Sequence, residues 1–524
     1  MSIPDVGRPR PVHIFPSMRH GVYSREQHPR DPDPRHRTRR AMSRPTLFLA
    51  GVDRGRTYVF WQWIEPEPGE PEYHVMDPEQ LDPLTNRIAA AVPDGSSAEE
   101  ITAPSPLPQA DRGIEETLRR GEFATLADEL ALARDLAALL LPAELARQLA
   151  DAFVRNRRQP ILFRVFPAAS CSLVPWELLT LVVEDDDGVL RERRLIEVAD
   201  VVYEVPAGMH VGRAARPRPW ESSGDESRVV YVIDPVTRVA SDVFDDHAAG
   251  RLAARAQRMP RRWQSLEHRG GADGWTRESL STVLRDAQPP QRLVFVGHVV
   301  TVADGPGATA LLLSDTAESY GVASVIRALD RGFVERNRPL SALDLLEGTS
   351  SIGARLPVLL QAEPDLAAST MRWPTGRRSN ESGATIWPAP PRVLLLACSS
   401  GGDLRTPEPF GLALAFVNSG AAYVTATKWT IPTDHAFRLA YATDERYAAL
   451  AIEPMVETAL ALDDAHTAED PVAAIAQWQR GRLELWSSGT DPVGSSPLHW
   501  AAVSTYIGIE RAVTPLVDGT STRS

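Results

Sequence analysis

The chain has 524 residues, 43% hydrophobic and 24% charged, so its length and composition allow two or three cored domains in a globular, soluble protein. Its net charge of −13 argues against general nucleic-acid binding, which needs a basic face, and no apolar run reaches the roughly eighteen residues of a membrane span. The only two cysteines, Cys171 and Cys398, exclude a disulfide framework, and without a signal-peptide pattern a cytoplasmic protein is expected.

Residues 1–43 are rich in Arg, Pro and His, densest at Arg35-His36-Arg37-Thr38-Arg39-Arg40. They carry no hydrophobic period and read as a disordered basic tail. The next region, 44–160, opens with Thr46-Leu47-Phe48-Leu49-Ala50 and Tyr58-Val59-Phe60-Trp61-Gln62-Trp63 about a turn at Asp53-Arg54-Gly55, which predicts a β-hairpin. Two amphipathic helices follow. One is capped by Thr125 with Leu126, Leu130 and Leu136 near one face, and the other has Pro142 in its first turn and carries Leu145, Leu149 and Phe153. The region 161–221 has strand-like runs at Ile161-Leu162-Phe163-Arg164-Val165-Phe166 and Val201-Val202-Tyr203-Glu204-Val205, with Val174-Pro175-Trp176-Glu177-Leu178-Leu179 between them. Linker composition over 206–227 predicts a boundary near residue 222.

Beyond it, over 222–510, the pattern changes. Val229-Val230-Tyr231-Val232-Ile233, Leu293-Val294-Phe295-Val296, Val393-Leu394-Leu395-Leu396 and Ala422-Tyr423-Val424-Thr425-Ala426 are short, almost wholly apolar runs, as strands buried on both faces of a mainly parallel sheet must be. Helices are predicted at 277–287 behind Thr276 and behind Ser341, whose Asp344 stands three residues on. An α/β layer fold follows, with a long loop over 349–390 and a disordered tail at 511–524.

In open α/β sheets, reactive groups gather at the carboxyl ends of strands. Two predicted strand ends carry suitable atoms: Leu293 to Val296 runs into Gly297-His298, and Val393 to Leu396 runs into Ala397-Cys398-Ser399-Ser400-Gly401-Gly402. If these strands are neighbours, the imidazole of His298 faces the thiol of Cys398 and can take its proton, leaving a nucleophilic thiolate. Gly401 and Gly402 let the chain turn sharply after the sulfur and leave backbone N–H groups for a developing oxyanion. The opposing reading is inert packing of a buried cysteine and a histidine that merely closes a strand.

The stretch 392–433 resembles the CHAT family of caspase-like peptidases. Its pieces stand in order: Leu396-Ala397-Cys398-Ser399-Ser400-Gly401, Gly411-Leu412-Ala413-Leu414-Ala415-Phe416, Gly420-Ala421-Ala422-Tyr423-Val424 and Thr427-Lys428-Trp429-Thr430-Ile431-Pro432. Leu293 to His298 resembles the family's histidine strand, 174–179 its Pro-Trp-Glu signature, and Pro497-Leu498-His499-Trp500-Ala501-Ala502 its closing motif. The resemblance spans about residues 160 to 510. It implies a caspase-like, mainly parallel sheet flanked by helices, preceded by a pseudo-protease half and a small α+β N-terminal region. It also implies a His298/Cys398 dyad with no obligatory third residue and no cofactor. The oxyanion hole it implies uses the backbone N–H groups of Cys398 and of Val299, where many members carry glycine. The β-branched Val299 narrows the conformations that aim that N–H.

The same resemblance implies a substrate groove walled by 429–433, with Trp429, Thr430 and Asp434 as its residues and an edge for an extended peptide to join. Trp429 reads equally well as core. Leu396 stands where relatives that cut after Arg or Lys carry aspartate, so basic specificity by that route is not supported. Asp434 offers a charge from another loop or, on the bland reading, the N-cap of a helix over 435–450. Cys171 reads as a buried structural thiol, His435 and His499 as structural, and no zinc spacing is present. The implied activity is that of a regulated protease acting on protein or peptide substrates in bacterial defence or cell death, with a sensor or activator protein as partner and sometimes a gasdermin-like substrate. The alternative is a catalytically silent scaffold or interaction module, against which the joint retention of His298 and Cys398 speaks.

Overall fold

The computed structural model describes residues 44–66, 68–93, 117–206, 208, 212–221, 228–237, 239–240, 243–244, 250–252, 254, 274–301, 307–330, 333–350, 380–397, 411–442 and 453–508. The two expected tails and the boundary near 222 lie outside the described residues, as does most of the long loop.

The predicted hairpin forms from β1 (Thr46–Asp53) and β2 (Thr57–Glu65), turned at Gly55 with φ +72°, and β3 (Glu72–Met76) adds to it. Helix α1 (Pro78–Ala91) precedes α2 (Leu126–Leu140) and α3 (Ala143–Arg155). Thr125 caps α2 by accepting from the Asp128 N–H, and α3 buries Leu145, Leu149 and Phe153 as predicted. The α2 face is corrected: it buries Glu129, Leu132, Ala133, Leu136, Ala137 and Leu140, leaving Leu126 and Leu130 half-buried. The docking face is set by a buried ion pair between Glu129 and Arg194 at 2.6 Å, which apolar periodicity does not register.

Then come β4 (Ile161–Phe166), a hairpin of β5 (Thr180–Glu184) and β6 (Leu190–Arg194), and β7 (Ala199–Glu204). The second half follows with β8 (Val229–Ile233), α4 (Arg277–Leu284), β9 (Arg292–Val296), β10 (Val299–Thr301) and β11 (Thr309–Leu311). The ribbon β12 (Ile326–Asp330) and β13 (Phe333–Asn337) leads to β14 (Leu340–Ser341) and α5 (Ala342–Glu347). Thr276 and Ser341 cap α4 and α5 through reciprocal bonds with Ser279 and Asp344, and α4 stops short of the predicted residue 287. Last come β15 (Arg392–Leu396), α6 (Leu412–Asn418), β16 (Tyr423–Thr427), α7 (Asp434–Tyr441), α8 (Pro454–Ala465), α9 (Pro471–Ser488) and β17 (Val503–Ile507).

Ten strands form one sheet in the order β3-β2-β1-β4-β7-β17-β16-β15-β9-β8, so the stretches 44–160, 161–221 and 222–510 all contribute to it. Six of its nine neighbour pairs are parallel, which makes this an α/β fold with a mainly parallel sheet flanked by helices. The strands β1, β4, β7 and β17 run one way, and β16, β15, β9 and β8 run the other. The two blocks meet at the antiparallel pair β17–β16, where Thr505 stands opposite Thr425.

Every residue of β9 and β15 is buried, and alternation divides them between two layers. Val294, Val296, Leu394 and Leu396 face a core with Trp429, Ile431, Phe437 and the α8 residues Val456 and Leu462. Leu293, Phe295, Val393 and Leu395 face α6 and Trp387. The part of the linker-composition segment described at 212–221 is docked: the Ala214 N–H donates to Asn418 Oδ1 at 3.1 Å, and Trp220 lies under the Arg392 guanidinium at 3.6 Å.

Candidate active site

The strands carrying the proposed dyad are neighbours. β9 and β15 run parallel with Val296 opposite Leu396, and the Gly297 N–H donates to the Leu396 carbonyl at 3.3 Å just past the strand. Position 298 lies two residues beyond that pair at the carboxyl end of β9, where α/β folds gather reactive groups, and position 398 follows Leu396 by two in the chain. His298 is half-buried. Cys398 lies outside the described residues, one position past the buried Ala397.

Val299 opens β10 opposite Leu311, and the Leu312 N–H donates to the His298 carbonyl at 3.0 Å. In an antiparallel ladder that bond marks 299/311 as a non-hydrogen-bonded pair, so the Val299 N–H turns away from β11. The side chain of Val299 is buried with Leu311 and Leu340, which holds the backbone in this strand conformation. The β-branched Val299 thus sits in the extended geometry it prefers.

The three residues named for the groove are less exposed than a groove wall requires. Trp429 is buried, its Nε1 donates to the Leu498 carbonyl at 3.0 Å, and its ring stacks on Phe123 at 6.0 Å, so the core reading describes its side chain. Thr430 is also buried, and its Oγ1 has no hydrogen-bond partner among the described residues. The N-cap reading of Asp434 is corrected: Thr433 is the cap, accepting from the Ala436 N–H at 3.2 Å, and Asp434 is the first residue of α7. The helix is described to Tyr441, and 443–452 lie outside the described residues. The groove-charge reading of Asp434 is corrected as well, since its carboxylate turns inward, where Oδ1 accepts from the Met455 N–H of α8 at 2.8 Å.

That burial pushes the Asp434 carboxyl up from 3.8 to about 6. The folded state therefore binds this proton more tightly than the unfolded chain does. The stability it contributes is present below about pH 4 and is lost as pH rises through about 6; at pH 7 the ionised group costs up to about 3 kcal/mol. Asp434→Asn, which keeps an oxygen for the Met455 bond, is expected to flatten this part of the pH–stability curve and to be the more stable protein at pH 7. Urea unfolding of both proteins across this pH range measures it, and parallel curves would overturn the assignment.

A buried polar cluster joins the two halves of the sheet beside this edge. Lys428 Nζ donates to Glu177 Oε2 at 2.9 Å, Glu177 Oε1 at 3.1 Å and the Tyr203 hydroxyl at 2.9 Å, using all three of its protons. Burial pulls the Lys428 ammonium below its ordinary range, opposed by Glu177, and pushes the Tyr203 hydroxyl well above its own. Thr427, the residue before Lys428, donates its hydroxyl to the Ala397 carbonyl. Sequence reading quoted these residues only as parts of motifs. The local signal was a lysine among apolar residues at a strand end, which nothing nearby in the chain explains.

Asp234, at the carboxyl end of β8, was also missed. It adopts φ +43°, donates its N–H to the Val296 carbonyl at 2.6 Å, and accepts on Oδ2 from the N–H groups of Val243 and Phe244. A non-glycine residue in the left-handed region is strained, and its carboxylate bonds hold it there, next to Gly297. Cys171 is the buried thiol expected, pushed up to about 12 by burial. His499 is buried on Phe437, with Nε2 at 3.0 Å from the Pro432 carbonyl, and burial lowers it to about 3, so it stays neutral. His435 is exposed. Among the described residues no group of His, Cys, Asp or Glu is arranged to hold a metal ion, and no helix is long and apolar enough to cross a membrane.

No protein-family model matches the chain, and no curated protein matches it. Among solved structures, two crystal structures of the Saccharomyces cerevisiae separase–securin complex are similar at 10% identity, with TM-scores of 0.36 and 0.37. Each match covers 88% of this chain and 30% of the other, so the chain spans under a third of the length of the chains it matches. The fold stands on the chain's own topology: an α/β protein built on a ten-stranded, mainly parallel sheet flanked by helices.

Proposed function

We propose that the chain is a caspase-like cysteine endopeptidase of the CHAT type, with Cys398 as nucleophile and His298 as its acid–base partner. One observation carries this reading: β9 and β15 are adjacent and parallel, with Val296 opposite Leu396, and His298 and Cys398 each follow two residues later. In the proposed reaction His298 takes the thiol proton and the sulfur attacks the peptide carbonyl. The C–N bond then breaks as His298 protonates the leaving amine, and water hydrolyses the thioester and restores the thiol. The N–H groups of Cys398 and Val299 serve the oxyanion, and the direction of the Val299 N–H, away from β11, is compatible with that role. No step needs a cofactor. The resemblance of 392–433 to CHAT peptidases extends the proposal to a regulated cytoplasmic protease of bacterial defence or cell death, held in check until a sensor or activator protein engages it and acting on a protein substrate, a gasdermin-like one among the candidates. The segment 429–433, after β16, enters the groove through its backbone, since the Trp429 ring is in the core.

Incubating the protein and Cys398→Ala with a bacterial proteome and candidate activators, followed by N-terminal sequencing of the fragments, tests the class. Cuts made by the wild type and absent with Cys398→Ala are expected, and the residue before each cut reports the specificity. Identical fragment sets from the two proteins would leave a scaffold as the function.

A further inference from the structure

The Ala397 carbonyl belongs to the peptide group that leads into Cys398, and the Thr427 hydroxyl donates to it across the β15–β16 boundary. A peptide group is planar, so holding its oxygen also sets the direction of its N–H, here that of residue 398, on the opposite side. Thr427 is itself fixed. The next residue, Lys428, donates its backbone N–H to the Ala502 carbonyl at 2.8 Å and seats its ammonium on Glu177 and Tyr203 in the first half of the sheet. Both side chains of the ion pair are nearly inaccessible, at 2% and 1% exposed. A buried ion pair seldom stabilises a fold more than an apolar pair of the same volume would, but it tolerates only one geometry.

On the peptidase reading, we infer that Thr427 is a positioning residue for the oxyanion hole, aiming the Cys398 N–H through the Ala397 carbonyl, with the Glu177–Lys428 pair as its anchor. Its action runs through the Ala397 carbonyl. Its effect falls on transition-state stabilisation, not on thiol reactivity or substrate binding.

The test uses a fluorogenic peptide spanning a cut mapped in the proteome experiment, with iodoacetamide as a probe of the thiol alone. Thr427→Val keeps the shape and removes the donor. It is expected to lower kcat about tenfold to a hundredfold, with KM and Cys398 alkylation rate unchanged in a protein that is still fully folded at the assay temperature, and Thr427→Ser is expected to restore kcat. The double variant Glu177→Leu/Lys428→Met is expected to lower kcat in the same way. An unchanged kcat in Thr427→Val, or a loss matched by slower alkylation, overturns the inference while leaving the peptidase reading intact. An unchanged kcat in the double variant removes the ion pair from it. A wild type that makes no cysteine-dependent cut overturns the peptidase reading, and this inference with it.

Discussion

Lys428→Met is expected to destabilise the protein by about 3–5 kcal/mol, because it strands the Glu177 carboxylate in the core without its cation. Glu177 is 1% exposed, so water cannot replace the lost ammonium, and the Tyr203 hydroxyl at 3.3 Å is the remaining described donor. Glu177→Leu alone should cost a similar amount by leaving Lys428 unpaired. The double variant Glu177→Leu/Lys428→Met should recover most of either loss, since two apolar side chains of matching volume fill the space with no charge to desolvate. Urea unfolding of the wild type, both single variants and the double variant closes the thermodynamic cycle. Single variants that cost less than about 1 kcal/mol, or a double variant no better than the singles, would show that the pair is not the buried, closed unit that its distances describe.

The second large effect falls on chemistry. His298→Ala is expected to slow peptide cleavage by about 10²–10⁴-fold, the usual worth of a positioned acid–base group. It should also change how Cys398 responds to pH. On the peptidase reading the imidazole holds the thiolate, and alkylation of Cys398 by iodoacetamide in the wild type is expected to stay fast well below pH 8. In His298→Ala the rate should fall about tenfold for each pH unit below about 8.5, as for an ordinary thiol. Peptide mapping separates the two cysteines, and Cys171, buried and pushed up to about 12, should remain unmodified in the folded protein. Superimposable pH–rate profiles in the two proteins would break the link between His298 and Cys398. Because His298 is only half-buried, loss of its ring should cost little stability, so the kinetic effect can be read on a folded protein.

Much of the fold was legible because it depends on neighbours in the chain. The runs 229–233, 293–296 and 393–396 are almost wholly apolar, and each became part of a strand buried on both faces. Thr276 and Ser341 stand three residues before a side chain able to return their bond, and both became reciprocal caps. At Asp434 the same local logic went one residue astray. Thr433 and Asp434 are both competent caps, and the carboxylate was drawn inward by the α8 N–H of Met455, twenty-one residues away. Trp429 fits a groove wall or a core equally well by composition, and the Leu498 carbonyl and the Phe123 ring decided for its side chain.

The sequence by itself determined the strand ends that carry His298 and Cys398, because burial on both faces and the small residues beyond each strand are written in consecutive positions. Only the tertiary structure decided that β9 and β15 are neighbours in that register and that the two strand blocks meet at β17 and β16. It alone seated Lys428 on Glu177, 251 residues away. Strand order and buried charge pairing are settled by which distant surfaces exclude water together, and a quantity of that kind leaves no periodicity in the chain for a local reading to find.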